Sequence, residues 1–430
     1  MDAARPNAGA ATRLIDGDPK KTMIVFYILV FTLPMPNHPL WAAHVGPFTI
    51  LKLIGMLGLL IALFEMLRTG VFPVLSKYIP SGWYLLYFLA ASISVFRAKG
   101  MDAFSAPDFW YVLSGFCLFT MTAMMVSTAE RLRRVVLLVL ASIAMNSLYV
   151  AREWQAYHNF YPGFRTWGGK SDDPNYFAVA VVLWVPLTVF WLLGKRPKWE
   201  KWFCIGCIGV MLVGFTLAAS RGGLIGLSVA MLFLLMHVKH RLRIIALVLL
   251  LALPMSLLPG TSALDRLIHP TSSDQESSEF RLELWQAARQ NFIDHPVLGI
   301  GLGNFAPQIV KDGLIIRIPF HVAHNTYMDV AANMGLSGLI PFVGVLIGSI
   351  FTLRKVVKRA TAPEDVMVRQ VALGLQAAIL GYMVCAFFLS TLWLQVFWFC
   401  AFLTMSLPRV LYLSRVPVEA EPVLTEVWAK

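Results

Sequence analysis

Apolar runs of roughly 20 residues, separated by short polar breaks, recur from residue 22 to residue 412. A helix rising about 1.5 Å per residue needs about 20 apolar residues to cross a hydrocarbon layer about 30 Å thick, so each run predicts a spanning helix. The expected spans are 22–35, 48–67, 82–96, 108–127, 134–153, 176–194, 203–219, 223–237, 244–258, 336–353, 368–388 and 391–412, about twelve in all. The first is short and contains Pro34, which predicts that it tilts or ends early.

The pattern breaks for longest at residues 259–335, and no other interval of that length lacks an apolar run. Within it, SSEFRLELWQAARQNFI (277–293) has helical spacing: Phe280, Leu284, Ala288 and Phe292 fall near one face, Trp285 beside them, and Arg281, Glu283 and Arg289 elsewhere. This segment is too short and too charged to span, so it predicts an amphipathic helix lying on the bilayer interface or on the helix tops. A second break, 154–175, is rich in aromatics, glycine and proline. The expected fold class is an all-α integral membrane protein with about twelve transmembrane helices and a large loop containing amphipathic helices. Its expected parts are an N-terminal bundle of about nine helices (1–258) with the loop at 154–175, a polar loop (259–335), and C-terminal helices with a tail (336–430). No internal repeat is visible, so the pseudo-symmetry common in secondary transporters is not expected.

Composition excludes a soluble globule: 58% of residues are hydrophobic and 14% charged. The net charge of +12 resembles a nucleic-acid signal until its placement is read. Basic residues gather at alternate breaks: Arg5 to Lys21, Arg68 and Lys77, AERLRR (129–134), KRPKWEK (195–201), HVKHRLR (237–243), LRKVVKR (353–359) with Arg369, and Arg409, Arg415 and Lys430. Such asymmetry marks the inside of the membrane. It predicts both termini inside, with 154–175 and 259–335 outside. The charge is then a topology signal, and nucleic acid is not an expected partner. The polar start, MDAARPNAGAATRLIDGDPKK, has no apolar core or cleavage site, which predicts an uncleaved first helix. All five cysteines fall in apolar runs; Cys204 and Cys207 form a C-x-x-C better explained by packing than by redox or zinc chemistry.

Against this background Arg221 is the sharpest oddity, because VMLVGFTLAASRGGLIGLSVAMLFLLM is otherwise apolar apart from three hydroxyl residues, Ser220 among them, and Arg221 lies at the outer join of two expected spans. Either it contacts phospholipid head groups or it binds a specific anionic ligand; an intramembrane charge favours the second. Gly222 and Gly223 would let a ligand or another backbone approach closely. A guanidinium suits phosphate because its planar fork donates paired hydrogen bonds. Arg281 could supply a second fork from the amphipathic helix, or sit on a solvated face. Arg266, Arg289 and Arg317 have the character of surface charges. His324, at the outer mouth of a span, could take a proton from a hydroxyl or serve as a hydrogen-bonded interfacial histidine. His321 and His324 form an H-x-x-H without a matching carboxylate, and no D-x-D is present, so no metal site is expected. Gly299, Gly301 and Gly303 have the spacing G-x-G-x-G with no preceding strand, which predicts a tight turn carrying Asn304 and Phe305 rather than a phosphate loop.

Taken in order, SRGG (220–223), FRLELWQAARQNFIDHPVLGIGLGNF (280–305) and HNTYMDVAANMGLSGL (324–339), supported by SDDPNYFA (171–178), resemble the O-antigen ligase and polymerase superfamily. Size and a single dominant loop resemble its ligase branch most. The resemblance implies a C-type glycosyltransferase-like fold and a membrane glycosyltransferase working without metal or other cofactor. It would invert the anomeric centre while moving a preassembled O-polysaccharide from undecaprenyl pyrophosphate to a sugar hydroxyl of lipid A-core, at the periplasmic face of the bacterial inner membrane. Implied partners are the lipid-linked O-antigen, lipid A-core and membrane lipids, with the protein a monomer or weak oligomer. Arg221, Arg281 and His324 match the family's essential arginines and histidine. Ser220, Arg266, Arg289, His321, Asn325 and Tyr327 complete the expected substrate-binding set. An O-antigen polymerase and a protein O-oligosaccharyltransferase share the same pattern. A transporter is the reading from outside the class; it predicts ionisable residues deep in several spans, whereas the candidates here gather at one surface.

Overall fold

The computed structural model describes residues 20–45, 48–69, 79–160, 164–171, 173–238, 241, 272–311 and 322–415. The expected span 244–258 and the candidate residues Arg266 and His321 lie outside the described residues. Every other expected span is a helix. In chain order these are α1 (Lys20–Thr32), the short α2 (Pro39–Ala42), α3 (Ile50–Thr69), α4 (Gly82–Lys99), α5 (Pro107–Met125), α6 (Ala129–Tyr157) and α7 (Pro174–Leu192). They continue with α8 (Lys198–Ala218), α9 (Arg221–His237), α10 (Ser272–Asp294), α11 (Phe305–Lys311), α12 (Thr326–Arg359), α13 (Val366–Cys385) and α14 (Gln395–Leu413). Among the described residues the sole sheet is one antiparallel pair, His44–Val45 with Phe48–Thr49. Seven described helices are long and apolar enough to cross a membrane, and Met23–Thr32, Ile50–Phe64 and Arg221–His237 are shorter apolar helices. The protein is an all-α, multi-pass membrane protein.

The centre is set by α7, whose residues Phe177–Trp191 are all buried; a helix apolar all round has no face to offer solvent or lipid and is enclosed by its neighbours. It packs on α8, α9 and α13. Small residues permit the closest approach: a Cβ on Gly226 of α9 would fall against Cys385 Sγ and 2.7 Å from the Gly381 carbonyl oxygen of α13.

Hydrogen bonds and ion pairs define two ends of the bundle. At one, Arg133 Nε donates to Glu200 Oε1 (2.6 Å), Trp191 Nε1 donates to Glu200 Oε2 (3.2 Å), and Arg196 Nη2 donates to Gln370 Oε1 (3.0 Å). The Arg196 guanidinium lies 4.1 Å from the Trp191 ring centroid, and burial lowers the Arg196 pKa from its usual value. Also at this end Arg415 Nη2 bonds both the Arg359 carbonyl (2.6 Å) and Asp365 Oδ2 (2.5 Å). Thus KRPKWEK, the basic end of α12 and Arg415 share one end of the bundle. Arg409 is not a surface charge: it is 3% exposed, and its Nη1 donates to the Ala123 carbonyl in the last turn of α5 (2.5 Å).

Candidate active site

The opposite end is built around the turn 386–394 between α13 and α14, against which three helices begin. Tyr176, in the first turn of α7, donates through its hydroxyl to the Ser390 carbonyl (2.9 Å). Gly222, in the first turn of α9, leaves room for Phe388, whose Cβ would lie 2.9 Å from an added Cβ; Cys385 Sγ approaches the Gly222 carbonyl at 3.6 Å. The Thr326 amide, first in α12, donates to the Ala386 carbonyl (2.8 Å), and its Oγ1 donates to the Leu389 carbonyl (2.6 Å) and lies 2.8 Å from Thr391 Oγ1. Thr391 is held in turn by the Tyr382 hydroxyl at 2.7 Å. The amides of helix N-termini carry partial positive charge, so one turn gathers three electropositive helix ends.

Each end is capped by a side chain. Asp173 Oδ1 accepts from the amides of Asn175 (2.6 Å) and Tyr176 (3.1 Å), Ser220 Oγ from Gly223 (3.2 Å), and Asn325 Oδ1 from Tyr327 (3.0 Å) and Met328 (3.1 Å). The side-chain oxygens of Ser220 and Asn325, both buried, therefore hold backbone in place. Tyr327 is likewise engaged, its hydroxyl donating to the Met383 carbonyl (2.9 Å) and its ring 4.6 Å from that of Phe387.

Arg221 is the first residue of α9, directly after Ser220. A cation here opposes the helix dipole, so its presence does not serve helix stability. It adds a guanidinium to a helix end already suited to an anion. The neighbours that require Gly222 and Gly223 are side chains: Phe388 for the first, and Ala178 Cβ, 2.9 Å from an added Cβ, for the second.

His324 adopts φ 48, left-handed backbone that a side chain takes at a cost of about 1–2 kcal/mol. Only Ala219, two residues before Arg221, shares this feature among the described non-glycine residues. Strained backbone of this kind persists where the surroundings over-determine it. Beside His324, the Ala323 carbonyl accepts from Trp285 Nε1 (2.9 Å), and the Ala323 amide donates to buried Asp329 Oδ1 (3.3 Å). Trp285 follows Arg281 by about one helical turn on α10. Leu284, Ala287 and Ala288 are buried with Phe305, Ile309, Ala323 and Ala332, so α10 docks by an apolar face on the start of α12. Arg281 is half-buried at this docked surface, whereas Arg289 is exposed.

The three glycines of the G-x-G-x-G run all have positive φ (64, 98 and 83) and form a turn. The amides from Gly299 to Leu302 are occupied: Gly301 N, for example, donates to the Asn333 carbonyl (2.9 Å) and Leu302 N to Ser94 Oγ (2.8 Å). Arg97 Nη1 donates to the Gly299 carbonyl (2.7 Å) and Lys99 Nζ to Asn304 Oδ1 (3.1 Å). Gly299 of this turn seats against Asn333 and Met334, and the preceding Pro296–Val297 against Gly335, where φ 59 and ψ −154 bend α12 into two segments.

Sequence reasoning missed Arg165, which binds Asn175 and Ala218 beside Arg221, and Asp329, a carboxylate 5% exposed under the His324 turn. Asp329 carried a usable signal, since it follows an Asn that can cap a helix and precedes an apolar run. Arg165 carried none, because its partners, Asn175 in the first turn of α7 and Ala218 more than fifty residues away, are brought together only by folding.

These features define a multi-pass helical membrane protein with capped helix ends, arginines and a histidine collected at one end of the bundle. Residues 206–343 match the family model described as O-antigen ligase. That stretch contains Arg221, Arg281 and His324. An O-antigen ligase of Pseudomonas aeruginosa (strain PAO1) is 29% identical over 140 residues, 32% of this chain and 32% of that protein. The alignment therefore spans about a third of the relative's length. Both matches support membership of the O-antigen ligase superfamily.

Proposed function

We propose that this protein is an O-antigen ligase of the bacterial inner membrane, transferring a preassembled O-polysaccharide from undecaprenyl pyrophosphate to a hydroxyl of lipid A-core at the periplasmic face. One observation carries the reading: α9, which begins with Arg221, and α12, which begins two residues after His324, rest on the same 385–391 segment, while Trp285 ties the Arg281 helix to Ala323. In this reading residues 1–258 and 336–430 are the transmembrane scaffold and 259–335 the periplasmic part of the site. The basic bundle end faces the cytoplasm, as the positive-inside rule requires.

The chemistry follows from the donor. A prenyl pyrophosphate stationed at the bilayer surface carries about two negative charges. Arg221, Arg281 and the α9 N-terminus stabilise the charge that develops as the bond between the anomeric carbon and the pyrophosphate oxygen breaks. The acceptor hydroxyl attacks the opposite face of that carbon, which inverts it. Its proton passes to His324, and undecaprenyl pyrophosphate departs as the anion. Pyrophosphate is a good leaving group, so the scheme needs no general acid and no metal. Asn325, Tyr327 and Ser220 keep the backbone that carries these groups in register. Arg289, with Arg266 and His321, is assigned to binding the glycan and acceptor.

The lipopolysaccharide profile of a deletion strain tests the reading. Loss of all O-polysaccharide-capped species, with lipid-linked polymer accumulating, supports a ligase. Caps shortened to a single repeat assign a polymerase instead, and an unchanged profile overturns both.

A further inference from the structure

We infer that Arg165 is a positioning residue for Arg221, acting through the tight turn that joins α8 to α9. The inference rests on the reading of Arg221 as a pyrophosphate-binding group. Arg165 Nε and Nη2 both donate to the Ala218 carbonyl, at 3.1 and 3.0 Å, and Nη2 also donates to Asn175 Oδ1 at 3.1 Å. The same Asn175 oxygen accepts from Ser220 Oγ at 2.9 Å, and Ser220 Oγ accepts from the Gly223 amide. One guanidinium and one carboxamide therefore grip both sides of the turn, from the last residue of α8 to the cap of α9.

The turn needs such a grip for two reasons. Ala218 ends α8, and the last carbonyls of a helix have no partner within it; Arg165 supplies charge-assisted donors to this one. Ala219 then adopts φ 47, a conformation unfavourable for alanine, and Arg221 follows at a helix end whose dipole opposes its charge. Ser220 caps α9 from within the turn, but the left-handed Ala219 and the cation at the helix start gain nothing from the local sequence, and the contacts that hold them come from Arg165 and Asn175. Asn175 lies in the first turn of α7, whose Tyr176 bonds Ser390. The grip therefore refers Arg221 to the segment on which the His324 helix also rests. Lysine cannot reproduce it, because a single ammonium lacks the fork that bonds one carbonyl twice and an amide oxygen as well.

A double-mutant cycle on the full-length protein in detergent, read by binding of farnesyl diphosphate, tests the inference. Arg165→Gln should weaken binding about tenfold with Arg221 present and less than about twofold in the Arg221→Ala background, because residues acting as a unit are non-additive. Asn175→Ala should show the same coupling at smaller amplitude, and Arg165→Lys should not rescue. Equal losses in both backgrounds would make Arg165 an independent contact and overturn the positioning role, as would unchanged binding in Arg165→Gln. If Arg221→Ala itself binds farnesyl diphosphate normally, the reading of Arg221 fails first and takes this inference with it. Should Arg165→Gln not fold, the Asn175→Ala cycle decides the matter by the same criterion.

Discussion

Replacing Thr326 by valine removes one hydroxyl while keeping shape and volume, and it targets the joint that seats the His324 helix. The hydroxyl donates to the Leu389 carbonyl at 2.6 Å, pairs with Thr391 Oγ1 at 2.8 Å and accepts from the Thr391 amide at 3.0 Å. Thr326 is fully buried and Thr391 is 1% exposed, so water cannot replace the lost partner. Thr391 Oγ1 keeps the Tyr382 hydroxyl, which leaves one carbonyl and one amide stranded. Unmade buried hydrogen bonds cost about 1–3 kcal/mol each in water-soluble proteins, and interhelical ones in membrane proteins average about 0.6 kcal/mol. Two stranded groups and one weakened pair then total about 2–4 kcal/mol. Unfolding in mixed micelles, followed by tryptophan fluorescence, gives the stability, and glycan transfer by the same preparation gives the activity. Transfer should fall about ten- to a hundredfold at temperatures where the variant is still folded, because the His324 helix loses its seat. Adding Thr391→Val should cost less than the sum of the two single changes, since removing both partners relieves part of the penalty. Wild-type stability and wild-type transfer in Thr326→Val would refute the idea that this joint sets the site.

Other perturbations separate the site from its scaffold. Arg221→Lys should lose transfer about as severely as Arg221→Ala, on the order of a hundredfold, with normal membrane levels by immunoblot; a point charge does not replace a fork. His324→Gly should abolish transfer while stability stays level or rises by about 1 kcal/mol on relief of the left-handed backbone, a split read by comparing unfolding midpoints with turnover. Glu200→Gln, at the far end, removes the buried charge that faces Arg133 and should cost about 1–2 kcal/mol, because Arg133 is 29% exposed and keeps Glu130, with transfer per folded molecule unchanged. Gly226→Val should disrupt the α9–α13 contact by about 3 kcal/mol or more, and Cys385→Ala should rescue it only in part because the Gly381 carbonyl also stands in the way.

The sequence made the helices plain, because crossing a bilayer demands long apolar runs whatever their neighbours. Of the expected spans, 244–258 alone cannot be compared with a described helix. The bend of α12 was hidden, since Gly335 looks like any membrane glycine until the 296–301 turn is seated against it. The amphipathic helix was read correctly in its apolar face, yet it extends over Ser272–Asp294, beyond the 277–293 expected from spacing, because polar residues at its start carry no apolar signal. The site divides in the same way. Arg221 stood out as a charge in an apolar run, and the tight-turn reading of Gly299 to Gly303 agrees with their positive φ. The 386–394 turn left no trace in the pattern: FFLSTLWLQ has no charge, and its importance lies in the carbonyls of Ala386, Leu389 and Ser390. Backbone acceptors are sequence-independent, so only folding reveals which side chains they collect.

The most direct measurement reconstitutes the purified protein in liposomes with an undecaprenyl-pyrophosphate-linked O-polysaccharide and lipid A-core, then follows the glycan by gel mobility without added metal. The wild type should link the intact polymer to the core with inversion, and Arg221→Lys, Arg281→Lys and His324→Gly should each lose that product. Equal transfer by the wild type and all three variants, or uptake of the glycan without any linkage to the core, would contradict a ligase built on these three residues.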